Sequence, residues 1–129
     1  MSDLDEIRLA RIALTSVAEP GDPVTYRLVR DLGPVEALRQ VLRTELADPV
    51  TRNAVAARLA VGDPRASAEA GLARAERLGA RVVIPEDAEW PPQVHELEAL
   101  MRDTQKRKER DTAPPLCLWV RGERPVLFA

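Results

Sequence analysis

The residues able to do chemistry are few and dispersed. His95 is the sole histidine, flanked by Glu96 and Glu98. A metal needs several convergent ligands, and acid–base catalysis needs a second group within reach. One imidazole beside two acids meets neither requirement, so His95 reads as a structural or surface residue. Asp87 and Glu89 could in principle share acid–base work, but they sit in the acidic run Glu86-Asp87-Ala88-Glu89, which reads as a solvated loop. Cys117 is the lone cysteine, set between Leu116 and Leu118. It reads as a buried thiol, with no second cysteine for a disulfide or metal site. The 6 glycines are scattered and form no phosphate-cradling loop. These residue types predict a protein that is not an enzyme and takes no cofactor or metal.

One stretch has the chemistry of a polyanion contact. Arg102, Lys106, Arg107, Lys108 and Arg110 concentrate positive charge, and Arg102, Lys106 and Arg110 fall on one helical stripe that could follow a phosphate backbone. Against this, Glu98 precedes Arg102 and Asp103 precedes Arg107 at the spacing of surface ion pairs. A solvated arm is the plainer reading, with the five cations kept as candidate nucleic-acid contacts. The net charge of −2 argues against a free-standing nucleic-acid binder. Trp90 and Trp119 could stack on bases. Their apolar neighbours favour Trp119 in the core of a strand and Trp90 as the pin of a helix.

The elements that must position these groups divide the chain in two. In the first 80 residues Asp22-Pro23, Asp48-Pro49 and Asp63-Pro64 each set a capping carboxylate before a proline, and Gly33, Gly62 and Gly79 close segments. The pattern predicts helices over about 3–18, 23–31, 34–46, 49–61 and 64–78. Helical spacing places Ile7, Ala10, Leu14 and Val17 on one face, Val35, Leu38, Val41 and Leu42 on another, and Val50, Ala54, Ala57 and Val61 on a third. Around Gly33, Leu28–Leu38 has the form of half a helix-hairpin-helix, whose turn can meet phosphate in DNA-binding versions. The alternative turn at Ala18–Asp22 is acidic and includes Pro20, which makes poor phosphate chemistry. A packing or partner-binding module is therefore expected here before a direct DNA contact.

From Gly79 the texture changes. Ala80–Ile84 is β-branched and bounded by Gly79 and Pro85, Trp90-Pro91-Pro92 opens a helix, and Leu116–Val120 is a second strand. A strand, a helix and a strand in this order predict the opening of a parallel sheet, incomplete with two strands alone. No apolar run reaches membrane-spanning length and the start, Met1-Ser-Asp-Leu-Asp-Glu6, is acidic, so a cytoplasmic protein without leader or membrane segment is expected.

The second part also carries a resemblance. Gly79, Arg81, Val82, Pro85, Asp87, Trp90, Pro91 and Leu97, followed by Pro114, Pro115, Leu116, Trp119, Val120, Arg121 and Gly122, resemble the motifs of the DNA-processing protein A (DprA, or Smf) family. Trp90 stands where tyrosine is commoner, and Glu98–Thr112 separates the two motifs. The resemblance implies an α+β fold. Residues 1–78 would form a small all-helical, SAM-like or helix-hairpin-helix-like bundle, and 79–129 the first strands and helix of a truncated Rossmann-like domain. It further implies a protein that binds and protects single-stranded DNA and assists RecA loading in transformation and recombination. The family's Gly-(Ser/Ala)-Arg DNA-binding loop has no counterpart in these residues, so little DNA affinity is expected of the chain alone. A homodimer is expected only with the missing domain. Arg81, Pro85, Asp87, Trp90, Pro91, Pro115, Trp119, Arg121 and Gly122 would then be structural motif residues. The other reading is a stand-alone helical interaction module whose C-terminal tail pairs with a partner's sheet.

Overall fold

A computed structural model describes residues 3–19, 21–94 and 115–121. The candidate cations Arg102, Lys106, Arg107, Lys108 and Arg110 lie outside them, as do His95 and Gly122. Five helices and two strands run in the order α1 (Asp3–Val17), α2 (Pro23–Leu32), α3 (Pro34–Leu42), α4 (Pro49–Leu59), α5 (Pro64–Arg77), β1 (Ala80–Val83) and β2 (Leu118–Arg121). Residues 92–94 are again helical. The arrangement is α+β.

The Asp-Pro pairs start helices as their chemistry requires. Asp22 accepts from the N–H groups of Val24 and Thr25, Asp48 from Thr51 at 2.9 Å, and Asp63 from Arg65 at 3.1 Å. Each proline occupies a first-turn position whose N–H would have no intrahelical partner. Gly33 has φ +84°, which favours glycine where α2 hands over to α3. α3 stops before its predicted end because Thr44 adopts φ 54°. The chain then bends and delivers Leu46 to the core.

α1 is the central helix. It buries Leu9, Ala10, Ile12, Ala13, Leu14 and Val17. These pack with Val29, Leu38, Val41, Val55 and Ala68, and the same cluster takes in Val82, Ile84 and Cys117. Helices and strands thus share one core. The alanines of α1 let its neighbours approach closely.

Three expectations need correction. First, the stripe predicted to bury α4 faces solvent: Val50 is 77% and Val61 89% exposed, and Val55 is the buried residue instead. Alanine on most sides of α4 leaves its apolar face ambiguous, and two arginines settle the rotation. Arg52 donates to the Leu46 carbonyl and Arg58 to the Ala18 carbonyl and Glu19.

Second, the sheet is antiparallel, with Ala80 opposite Arg121 and Val83 opposite Leu118. Pro85 and Glu86 sit in a tight turn closed by the Asp87 N–H donating to the Ile84 carbonyl at 2.9 Å. Arg11 then holds Glu86, just past the end of β1, together with the Leu116 carbonyl, just before β2. A second strand that begins where the first ends must run back along it.

Third, Trp119 is 49% exposed rather than a core residue. Its strand partner Val82 takes the buried position, and the indole edge lies over Gly71 of α5, where a Cβ would meet Cζ-ring atom Cη2 at 3.4 Å.

Candidate functional site

The densest polar chemistry lies where α1 meets the end of β1. Arg8 and Arg11 are three residues apart, so α1 presents both on adjacent turns of one face. The Arg8 guanidinium donates to both oxygens of Asp87, at 2.6 and 3.0 Å, and also to the Val82 carbonyl at 2.9 Å. Arg11 grips Glu86 with two bonds of 2.9 Å and reaches the Leu116 carbonyl at 3.2 Å. Arg81 grips Glu89, its Nη2 donating at 2.8 Å. Forked pairs of this kind fix direction as well as distance.

The Asp87 carboxylate also accepts the Ile84 N–H at 2.9 Å. It is therefore a junction of main chain and guanidinium. The hydrogen bond to Asp87 holds the Arg8 guanidinium above its ordinary pKa, against the opposing effect of burial. Arg81 is raised in the same direction, first by its bond to Glu89. Burial pushes the Cys117 thiol up, with nearby Arg11 pulling the other way. A raised thiol pKa leaves little thiolate at neutral pH, which makes Cys117 a poor nucleophile.

The sequence motif residues gather around this junction unevenly. Arg81 and Asp87 belong to it, Pro85 shapes its turn, and Trp90 is buried behind it, its N–H donating to the Asp87 carbonyl at 3.2 Å. The Pro91 carbonyl accepts from Val94. Pro115, ahead of β2, and Arg121, at its end, are exposed. Arg8, Arg11 and Glu86 escape sequence reasoning as site residues. The only signal was an Arg pair on α1 facing an acidic run far along the chain.

The two helical turns differ in what they offer a phosphate. At Gly33 the N–H donates to the Val29 carbonyl at 2.8 Å, and the next residue, Pro34, has none. At the start of α2 the Asp22 carboxylate already occupies the N-terminal N–H groups. Only the turn at Asp22 has a carboxylate where an anion would have to bind; the first-turn N–H groups of α3 receive no side-chain cap.

A second feature is a cavity of about 280 Å³ lined by α1, α2 and the segment entering β2, with Thr15, Tyr26, Leu116, Cys117 and Trp119 in its wall. Among the described residues no group of three or more potential metal ligands occurs, and no helix is long and apolar enough to cross a membrane. Set against protein-family models, curated proteins and solved structures, the chain finds no match in any of the three.

Proposed function

We propose that this chain is a scaffold portion of a DprA-like DNA-processing protein. In this reading the protein binds and protects single-stranded DNA and assists RecA loading, in the cytoplasm and without catalysis. The helices form its SAM-like bundle, and the strands open a Rossmann-like sheet. An antiparallel pair is compatible with that sheet, because doubly wound folds often carry an antiparallel edge strand.

The observation that carries the reading is the convergence of Arg81, Pro85, Asp87 and Trp90, four of the residues that make the resemblance, at one junction. Their joint occurrence has a physical reason, the docking of strand to helix. The occupied N–H groups at Asp22 support a division of labour in which the helical bundle positions the protein and the DNA is held elsewhere.

Two experiments test it. Reading the source gene past the codon for Ala129 should reveal a continuing frame with an apolar strand and a Gly-(Ser/Ala)-Arg loop; its absence overturns the family assignment. Fluorescence anisotropy with labelled oligo-dT should show binding by the 129-residue chain no tighter than the non-specific range of about 10⁻⁴–10⁻⁶ M. A salt-sensitive submicromolar affinity overturns the division of labour.

The exposed Val50, Ala54 and Ala57 on α4, with Val61 just past its end, favour a second reading, a helical interaction module. Its mark would be a partner lost on Val50→Glu and Val61→Glu while the fold is retained.

A further inference from the structure

The two edges of the small sheet are chemically unequal. On the outer side of β1 two main-chain groups are taken: the Val82 carbonyl accepts from Arg8 and the Ile84 N–H, just past the strand, donates to Asp87. These bonds also establish the phase of the ladder. In an antiparallel pair, residues alternate between pointing both main-chain groups at the partner strand and pointing both away. Val82 and Ile84 point away, so Arg81–Val120 and Val83–Leu118 are the pairs that exchange hydrogen bonds. Trp119 and Arg121, opposite Val82 and Ala80, must therefore turn their N–H and C=O groups toward the outer edge of β2. Among the described residues nothing pairs with that edge. Leu118–Arg121 contains no proline, and Arg121 is its one charge.

Beside this open edge lies the cavity of about 280 Å³, walled by Cys117 and Trp119 on the strand side and by Thr15 and Tyr26 on the helix side, with no residue of β1 in its lining. An open edge next to a side-chain pocket is the arrangement by which sheets capture extended peptides: the main chain gives affinity and the pocket selects alternate residues. Arg121 is exposed at the far end of the same face, with no carboxylate within 4.0 Å among the described residues.

We infer that β2 is a strand-addition site for a separate polypeptide, which pairs antiparallel with Trp119 and Arg121, places apolar side chains at the Cys117–Trp119 cavity and sets a carboxylate opposite Arg121. Arg8 on the Val82 carbonyl and Asp87 on the Ile84 N–H disfavour strand addition at β1. This inference rests on the interaction-module reading, because further strands of a Rossmann-like sheet would take the same edge.

The test uses the whole chain and a blocked peptide of sequence Thr-Glu-Thr-Val-Thr-Val-Thr, which puts glutamate opposite Arg121 and valines toward the cavity. In amide NMR, millimolar peptide should shift the Trp119 and Arg121 signals and leave Val82 and Ile84 unmoved. Arg121→Glu should weaken this peptide about fivefold and favour the version with lysine for glutamate. Arg121→Pro should abolish binding, because it removes an outward N–H without touching a ladder bond. Both variants should keep the wild-type melting temperature. Absence of any shift at millimolar peptide, or indifference to both substitutions, overturns the site. A concentration-dependent dimer abolished by Arg121→Pro overturns the separate partner in favour of a second copy.

Discussion

Arg8 joins two acceptors of different origin, a side-chain carboxylate and a strand carbonyl, and both lie more than seventy positions away along the chain. Its side chain and that of Asp87 are 20% and 16% exposed, so solvent screens the pair only in part. Arg8→Ala should cost about 2–3 kcal/mol in urea unfolding, because it leaves a half-buried carboxylate and a carbonyl without their donor. Arg39→Ala removes the exposed i,i+3 pair with Glu36 and should cost under about 0.5 kcal/mol. Equal losses in the two would count against the junction.

Single groups also govern the pH response. Hydrogen bonds from the Thr51 hydroxyl and N–H hold Asp48 below its ordinary pKa. Its contribution is present above the ordinary carboxylate range and is lost as pH falls through the lowered folded value. Cys117 behaves in the opposite sense. With its folded pKa raised, its contribution is full below the ordinary thiol range and is lost as pH rises through it. Thermal melts should show Asp48→Asn flattening the acid limb and Cys117→Ala the alkaline limb. Unchanged limbs would remove these two groups as the cause.

At the level of elements, glycine marks two places where substitution has opposite signs. At Gly33 a Cβ meets nothing within 4 Å, but φ is +84°, so Gly33→Ala should destabilise by about 1 kcal/mol through the backbone alone. Gly71 lies within α5, where a Cβ would come to 3.4 Å from the Trp119 ring. Gly71→Ala should stabilise by about 0.5–1 kcal/mol from helix propensity, and Gly71→Leu should displace the indole and shift its emission. A destabilising Gly71→Ala would mean the ring cannot yield.

The helices were legible because their starting signals act within one turn: the Asp-Pro starts at Pro23, Pro49 and Pro64 and the Gly-Pro start at Pro34 match the structure. What failed depended on partners remote in the chain. The face of α4 was set by arginines reaching other loops, the direction of β2 by Arg11, and the exposure of Trp119 by its place on an edge strand. Asp87 looked like a solvated acid because its guanidinium partner lies 79 positions earlier. Periodicity carries no information at that separation.

For the whole molecule, the shared core of α1 with Val82, Ile84 and Cys117 predicts one unfolding transition for helices and strands. Circular dichroism and the fluorescence of buried Trp90 should coincide in urea. Arg8→Ala combined with Arg11→Ala should separate them, the fluorescence change coming first as the strands leave α1. Persistent coincidence in the double variant would show that apolar packing alone couples the two parts.

The grip of Arg11 on Leu116 has a consequence for timing. Its two ends are 105 positions apart, so at ordinary elongation rates of about 5–20 residues per second α1 emerges from the ribosome roughly 5–20 s before that carbonyl is synthesised. The first helix made is among the last to be completed, and its apolar faces need shelter on the nascent chain in the interval.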